Sequence, residues 1–400
     1  MPKVIWRGAT AEQYEKGMVL HELVHGATAE RFRSTQKNNP LFDPSFTRIC
    51  LEGDLIASIM HIYPRRIVIG GAVMGNMAIG DVATHPDRRK RGYGAGCLRD
   101  CIRWAEENDC PVSMILSGVF GFYLSEKWVK FPQHSYTIDL TKFRHPKPAR
   151  DYSVRWIERD TDDLEQCMDV YNAYNADNSL AIVRTPLYWR RRLRWQSGES
   201  AGGWFVAERD GAIVAYMRSQ GPRISEMCFL PGHAEASFTL FDALVRWAGR
   251  RELTQLSADL ADDNPVRLAL DKGEGVVRNT SETTLLRFID LRRVFACLWE
   301  KLQLRFLRSG LDFKGEVCFK AQGVRQQVTL AFHDRELSLA KRPGPDARTL
   351  ALEQADLFKL ITGYGRFQDL PLGSLDKTAS ALLRALFPRG KCHFWRNDTV

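Results

Sequence analysis

The sequence predicts two consecutive copies of one α/β fold, followed by a separate α+β domain. A strand, a helix and a β-hairpin succeed one another near the N-terminus, and the same order returns from residue 153. Near residue 290 the pattern changes to short alternating strands and amphipathic helices. A chain of 400 residues is also too long for one ordinary core. These observations favour three domains, over residues 1–147, 148–289 and 290–400.

The first copy begins with an extended segment, VIWR, at residues 4–7. Thr10 and Gln13 then form a capping-box pattern, which predicts a helix that continues through HELVH at residues 21–25. RICLE, a Gly-Asp turn and LIASIM predict a β-hairpin over residues 48–60.

The second copy repeats these elements in the same order. Asp162 and Glu165 can cap its first helix, and residues 204–217 repeat the hairpin. The crossover helix is echoed as well, because IRWA at 102–105 matches VRWA at 245–248. A self-match in element order indicates a duplicated fold.

The last domain begins near residue 290. GEVCFKA, QQVTLAF and ELSLAKR are predicted to be short strands, whereas EQADLFKLITG and TASALLRALF have the periodicity of amphipathic helices. HFW, at residues 393–395, is predicted to be a final strand, with only a short tail after it.

The bulk composition is that of a globular protein, with 44% hydrophobic and 26% charged residues. Neither a signal sequence nor an apolar membrane span is recognisable, so we expect a cytoplasmic protein without a membrane partner. Nine cysteines without CxxC pairs favour packed thiols over disulfides or structural zinc. The net charge of +9 suggests an anionic partner, but no nucleic-acid-binding motif is present.

The most informative segment is MAIGDVATHPDRRKRGYGAGCLRDCIRWAEE, at residues 77–107. An apolar strand is followed by a turn, four consecutive cations, spaced glycines and a helix. Glycines let backbone N–H groups approach a phosphate, and the N-terminus of a helix favours negative charge. A Walker A loop would need Gly-Lys-Ser/Thr, and a dinucleotide fingerprint would need glycine where Cys97 stands. The segment therefore predicts a pyrophosphate-binding loop of another kind.

The pattern Arg89-x-x-Gly92-x-Gly94 after an extended Val-Ala-Thr strand resembles motif A of the GNAT acetyltransferases. This resemblance implies two tandem GNAT folds and acetyl-CoA as co-substrate, with no metal. In the family the loop holds the pyrophosphate, and the strand binds the pantetheine arm. The cofactor-binding residues that it implies are Val82, Ala83, Thr84, Arg89, Lys90, Arg91, Gly92, Tyr93, Gly94, Ala95, Gly118 and Val119.

A tyrosine follows at a position where the family places its general acid. GFYLSEKWVKF (121–131) resembles the family's FYxxxGF segment, although Lys127 and Trp128 replace the Gly-Phe pair. Tyr123 is therefore the candidate acid that protonates the departing thiolate of coenzyme A. An alternative is that the tyrosine only packs on a helix face.

The second copy lacks the features of the phosphate loop. Its corresponding segment, PGHAEASFTLF at 231–241, has neither the cation cluster nor the spaced glycines. We therefore expect this copy to be degenerate, serving as scaffold or as a wall of the acceptor site, with one active site per chain.

The whole chain resembles the Eis (enhanced intracellular survival) acetyltransferases, also in IVRTPLYWRRRL (182–193) and LLRFIDLRRV (285–294). The resemblance implies that the third domain has a sterol-carrier-protein-like fold and that six chains assemble as two trimers. It also implies that the C-terminal carboxylate, here that of Val400, is the general base. Asp398 is the substitute if Val400 is not the base, and a frayed terminus is the alternative to either role.

HELVHG admits a different hypothesis. Its two histidines at i and i+4, with a glutamate between them, match two ligands and the general base of zinc hydrolases. His21, Glu22 and His25 lack a recognisable third ligand, however. A non-catalytic protein that binds lipid or coenzyme A is a further alternative. The amine acceptor stays open between aminoglycosides, polyamines, lysine side chains and peptide N-termini.

Overall fold

The computed structural model describes residues 3–26, 36, 39–157, 163–193, 203–373 and 375–399. Asp162, which was expected to cap a helix, lies outside the described residues. Within those residues no helix is both long enough and apolar enough to cross a bilayer. All nine cysteines are free thiols, and all but Cys297 are buried, as expected for thiols that pack.

The strands are β1 (Val4–Gly8), β2 (Thr47–Glu52), β3 (Leu55–Ile69), β4 (Ala72–Thr84), β5 (Val112–Leu116), β6 (Val129–Asp139), β7 (Ser153–Ile157), β8 (Trp204–Arg209), β9 (Ala212–Gln220), β10 (Arg223–Phe229), β11 (Gln255–Ala258), β12 (Val276–Phe288), β13 (Gly315–Gln322), β14 (Gln326–His333), β15 (Glu336–Ala340) and β16 (Arg348–Glu353). The helices are α1 (Ala11–His25), α2 (Tyr93–Glu107), α3 (Phe120–Ser125), α4 (Asp163–Asn175), α5 (Ala236–Gly249), α6 (Pro265–Leu270), α7 (Leu291–Ser309), α8 (Gln354–Thr362) and α9 (Lys377–Leu386).

The first unit has the predicted order of strand, helix and hairpin. Thr10 caps α1 by accepting a hydrogen bond from the Gln13 amide, and the Gln13 side chain bonds back to the Thr10 amide. Helices α1 and α2 cover opposite faces of the sheet. Ile59 of β3 packs on the α1 side, whereas its neighbour Met60 packs against α2. The alternation of adjacent side chains across a strand explains this two-sided burial.

The second unit repeats that order. Strand β7, helix α4, the β8–β9 hairpin, β10, α5, β11, α6 and β12 succeed one another as their counterparts do in the first unit. The predicted α/β fold class is therefore confirmed.

The two units share one sheet. Its order is β1-β2-β3-β4-β5-β12-β6-β11-β10-β9-β8-β7. Strand β12 of the second unit lies between β5 and β6 of the first and pairs antiparallel with both. Strand β6 in turn pairs antiparallel with β11 of the second unit. Each unit thus completes its sheet with a strand of the other. The expected boundary near residue 147 divides the sequence into two units, but the sheet is continuous across them.

The last part of the chain forms a smaller sheet of order β15-β14-β13-β16 with three helices. Helices α8 and α9 were predicted, whereas β16 was not. The core of this part is continuous with the sheet of the first unit, because Phe288 of β12 stacks on Phe358 of α8 with ring centroids 3.7 Å apart.

The prediction of a final strand at residues 393–395 was wrong. The chain there makes one isolated bridge, between Cys392 and Ser179. His393 N–H donates to Asn178 Oδ1 (2.9 Å) and to the Ser179 carbonyl (3.0 Å), and Phe394 N–H donates to Gln133 Oε1 (3.1 Å). These acceptors, two of them side chains, satisfy the amides without a strand ladder.

A buried ion cluster fixes this C-terminal segment. Arg184 donates to both oxygens of Asp398, at 3.0 and 2.9 Å, and to both oxygens of Glu226, at 2.8 and 2.5 Å. All three side chains are fully buried. Arg65 of β3 donates to the main-chain carbonyl of Asp398. The cluster therefore joins both units to the tail.

Burial alone would raise the pKa of the Glu226 carboxyl, but Arg184, with smaller contributions from Arg218 and the Tyr216 hydroxyl, holds the pKa below its usual value. Removing one partner of a buried pair leaves the other charges uncompensated. We expect Arg184→Met to lower the free energy of unfolding by about 3–5 kcal/mol. Urea titration at neutral pH would measure the loss.

Arg155→Ala is a matched control, because Arg155 also bridges two carboxylates, Asp163 and Glu208, but lies 42% exposed. It should cost about 0–1 kcal/mol. The pKa of Glu226 is lower in the folded protein than in the unfolded chain. The contribution of this carboxylate to folding stability is therefore complete above the unfolded pKa and is lost as the pH falls through the folded pKa. The difference between wild type and Arg184→Met should therefore shrink below about pH 4. Equal losses for both variants at neutral pH would contradict this account.

Candidate active site

A cleft opens where β4 and β5 separate. These parallel strands pair only at Asn76 with Val112 and at Met77 with Ser113. Beyond Met77 the ladder between them ends, although β4 continues to Thr84. The backbone groups on that side of β4 are therefore available to a ligand, as buried polar groups need partners.

A β-bulge shapes the exposed part of β4. Gly80 pairs with His61 and Ala83 with Ile59, so Asp81 and Val82 together oppose a single residue of β3. Asp81 has a φ of 49°, in the left-handed region that few non-glycine residues adopt. Bulges redirect side chains and carbonyls next to active sites. Here the Val82 carbonyl lies 3.0 Å from His25 Nε2.

A cavity of about 640 Å³ occupies this cleft. Strand β4, the loop before α2, the N-terminus of α2, the end of β5 and helix α3 contribute its walls. The residues that line it are Val24, His25, Ile79, Gly80, Asp81, Val82, Thr84, Arg88, Arg89, Lys90, Gly92, Tyr93, Gly94, Ala95, Leu116, Ser117, Val119, Phe122 and Tyr123. The volume is in the range of small-molecule and cofactor sites.

The N-terminus of α2 is suited to an anion. Gly92 precedes the helix with a φ of 81° and provides no side-chain cap. The amides of the first turn, Tyr93 to Ala95, have no acceptor within the helix, and they carry the positive end of its dipole. A Cβ on Gly94 would lie 3.1 Å from Thr84 Oγ1 and 3.3 Å from the Phe122 ring. A larger residue would therefore crowd the floor of the loop.

The four cations of the loop are not equivalent. Glu52 accepts a hydrogen bond from Arg88 Nε and one from the Tyr93 hydroxyl (2.7 Å), and its Oε1 lies 3.9 Å from Arg91. The Tyr93 and Arg88 hydrogen bonds lower the pKa of the Glu52 carboxyl. Arg89 and Lys90 line the cavity without such a partner among the described residues. These two side chains are available to a bound phosphate.

The structure brings most of the expected cofactor-binding residues to one cavity. Val82, Thr84, Arg89, Lys90, Gly92 to Ala95 and Val119 line it. Ala83, Arg91 and Gly118 do not: Ala83 is buried, and Arg91 is directed to Glu52. Gly96 serves packing, because a Cβ there would lie 2.1 Å from the Trp6 indole nitrogen.

Tyr123 reaches the cavity from α3. Its side chain is 6% exposed, and its ring makes edge contacts with Phe122 and Trp128. Burial, with a smaller contribution from Cys101, raises the pKa of the phenol to about 12. The hydroxyl is therefore protonated at every physiological pH and can donate a hydrogen bond to a group in the cavity.

The two histidines of HELVHG have different environments. His21 is buried, and burial lowers its pKa to about 4, so it is uncharged at neutral pH. His25 contacts β4 and lines the cavity. The described residues contain no group of three or more His, Cys, Asp or Glu side chains that could hold a metal ion. The zinc-hydrolase hypothesis gains no support from this helix.

The C-terminal segment contains the two carboxylates that the sequence suggested as general base. Val400 lies outside the described residues. Asp398 is fully buried, and its carboxylate accepts hydrogen bonds from Arg184 and from the Tyr188 hydroxyl (2.9 Å). It is therefore unsuited to serve as the substitute base, since its oxygens are already used inside the protein.

Several cavity residues were not anticipated from sequence. Asp81, Ser117 and Phe122 line the site. Gly80 and Asp81 interrupt an otherwise apolar strand, and a glycine inside a strand pattern often marks a bulge. That signal pointed to the bulge, although not to the direction of the Asp81 side chain.

Comparisons with known proteins agree with this geometry. Residues 6–128 match the sequence model of the acetyltransferase (GNAT) domain. No curated protein sequence matches the chain.

Solved structures share the fold along the whole chain. A GCN5-related N-acetyltransferase from Kribbella flavida aligns with a TM-score of 0.73 at 16% identity, covering 100% of this chain and 99% of its own. One from Anabaena variabilis aligns with a TM-score of 0.72 at 14% identity, covering 100% of both chains. Eis1 from Mycobacterium abscessus aligns with a TM-score of 0.70 at 12% identity, again over 100% of both chains.

The matched segment contains β4, the phosphate loop, α2 and Tyr123. The first unit is therefore an acetyltransferase (GNAT) domain, and the expectation of an enzyme that transfers acyl groups from acyl-CoA is confirmed.

The phosphate loop yields a binding prediction. Replacing both Arg89 and Lys90 by alanine should weaken acetyl-CoA binding by about 10²- to 10⁴-fold, because hydrogen bonds to charged groups contribute about 1.5–3 kcal/mol each and two are removed. Isothermal titration calorimetry would measure the dissociation constant. Arg103→Ala, which removes an exposed cation from the middle of α2, is the control and should leave binding unchanged. A similar weakening by the control would contradict the assignment of the loop.

Proposed function

We propose that this protein transfers an acetyl group from acetyl-CoA directly to an amine, using one active site per chain. The observation that supports this most strongly is the single cavity that contains both an anion-binding helix N-terminus and the buried hydroxyl-bearing Tyr123. The first is suited to a pyrophosphate and the second to donating a proton, and one edge of β4 beyond Met77 has no ladder to β5.

The cavity suits the parts of acetyl-CoA. Arg89, Lys90 and the α2 amides would bind the pyrophosphate, with Gly94 allowing close approach of the backbone. Residues 82–84 of β4 would pair with the pantetheine amides, in the manner of an added strand. A backbone N–H of this strand would polarise the thioester carbonyl and stabilise the developing oxyanion.

Tyr123 is proposed as the general acid. As the amine attacks the thioester carbon, the C–N bond forms and the C–S bond breaks, so coenzyme A leaves as a thiolate. A thiol of ordinary pKa, about 8.5, is unstable as an anion in a desolvated site. The raised pKa of Tyr123 keeps its phenol protonated, and the hydroxyl can donate to the sulfur as charge develops.

The Val400 carboxylate is proposed as the general base. Two residues before it, the Asp398 carboxylate is held by Arg184, and the Asp398 main-chain carbonyl accepts a hydrogen bond from Arg65 of β3 in the first unit. A carboxylate there would accept the amine proton directly or through water.

The second unit is proposed to be a scaffold without its own cofactor site. Its segment from 231 to 241 contains no lysine or arginine, and the helix N-terminus there is flanked by Glu235. The Eis-like character of the chain, a sterol-carrier-protein-like third domain, the hexamer and the cytoplasmic location stay predictions. Aminoglycosides, polyamines, lysine side chains and peptide N-termini stay candidate acceptors.

The role of Tyr123 predicts a separation of catalysis from binding. Tyr123→Phe should lower kcat by about 10²–10⁴-fold, the usual contribution of a general acid, and leave the dissociation constant of acetyl-CoA within about twofold. Initial rates of coenzyme A release with an amine acceptor would measure kcat. Tyr152→Phe in the second unit, which removes a hydroxyl near His233, is the matched control. Unchanged kcat in Tyr123→Phe would exclude the hydroxyl as acid.

The role of Val400 predicts sensitivity to the position of the carboxylate. One alanine added after Val400 would shift the carboxylate by about 3.5 Å and leave the buried anchor at Asp398 in place. We expect kcat to fall by about 10²-fold or more with unchanged affinity for acetyl-CoA. Adding a residue at the N-terminus is the control. Full activity of the extended chain would exclude the terminal carboxylate as base.

A further inference from the structure

Asp81 is the only carboxylate among the described residues that line the cavity. The proposed reaction does not yet use it. It lies on the bulge of β4, directly before the segment proposed to bind pantetheine. Its position therefore places a carboxylate beside the segment proposed to bind pantetheine.

The side chain of Asp81 is held in one orientation. The Tyr63 hydroxyl donates to its Oδ2 at 2.5 Å, and Gln36 Nε2 donates to the same oxygen at 3.2 Å. Tyr63 and Gln36 are both buried. Both donors bind Oδ2, so neither of them occupies Oδ1. The backbone in the left-handed region fixes the direction in which the carboxylate leaves the strand.

The surroundings do not neutralise this charge. Besides the Tyr63 hydroxyl, which donates to it, Asp81 interacts electrostatically with His21 and His61, and burial lowers the pKa of both histidines to about 4. Both are therefore uncharged at neutral pH. Within the described ranges no lysine or arginine forms an ion pair with Asp81. The cations of the cavity belong to the loop before α2, beyond the end of β4, where Arg88 is already bound to Glu52.

We infer that Asp81 binds the ammonium group of the acceptor and makes the enzyme select cationic amines. This inference rests on the proposed acetyl transfer. The ammonium donates a hydrogen bond to Asp81 Oδ1, loses one proton to the general base and attacks the thioester carbon with the freed electron pair. Asp81 keeps its negative charge throughout. A carboxylate held by two donors on one oxygen, in a residue that lines the cavity, is pre-organised for this contact.

Asp81→Asn is the appropriate variant. Asparagine has the same shape and tolerates a positive φ better than alanine does, so the bulge is retained. Asp87→Asn, an exposed carboxylate of the loop that does not line the cavity, is the matched control. Acetyl-CoA affinity and the thermal midpoint are measured first, and we expect both to be unchanged in the two variants.

Acetyl transfer is then compared for 1,4-diaminobutane, which is cationic at neutral pH, and aniline, which is uncharged. In Asp81→Asn we expect kcat/KM to fall by about 10- to 100-fold for the diamine, as for the loss of a hydrogen bond to a charged group, and by about twofold or less for aniline. Tyr63→Phe should give a smaller loss for the diamine, because it removes only the donor that orients Asp81.

Calorimetric titration of 1,4-diaminobutane into the complex with coenzyme A supplies a readout that does not need catalysis. Binding by the wild type that is lost in Asp81→Asn supports the inference. Equal losses for the diamine and aniline, or diamine binding that persists in Asp81→Asn, would overturn it. Wild-type protein that transfers acetyl to neither amine would contradict the proposed function instead, since the calorimetric comparison would still decide the role of Asp81.

Discussion

The separation of β4 from β5 is the constraint on which the site depends. Two adjacent parallel strands normally bond along their shared length, but this pair does so only at its beginning. The rest of β4 has unpaired backbone groups, and its bulge turns Asp81 and Val82 out of the ladder. The phosphate loop, Tyr123 and Asp81 are all arranged around that gap. Strand β5 is instead held from its other side by β12 of the second unit.

The second unit, which we propose has no cofactor site of its own, contributes to the site of the first. By supplying β12 it completes the sheet next to β5, and through Arg184 and Glu226 it anchors the C-terminal segment. A buried charge cluster of this kind is weak as a source of stability compared with apolar packing, but it fixes one arrangement because each charge requires its partners.

The sequence predicted what depends on local patterns. Short segments of sequence are enough to predict the capping box at Thr10, the order of elements in both units, and the cations and glycines of the phosphate loop. The sequence did not predict what depends on distant contacts. Residues 393–395 were expected to form a strand, whereas Asn178 and Gln133 bind two of their amides from far along the chain. The use of Asp81 could not be predicted either, since a bulge register is set by pairing across strands.

The central claim is that one unit binds acetyl-CoA and the other only supports it. The number of acetyl-CoA molecules bound per chain, measured by isothermal titration calorimetry at saturation, tests this most directly. The account predicts one. Two bound molecules would mean that the second unit has a working site despite lacking the cations, and none in a folded sample would contradict the assignment of the cavity itself.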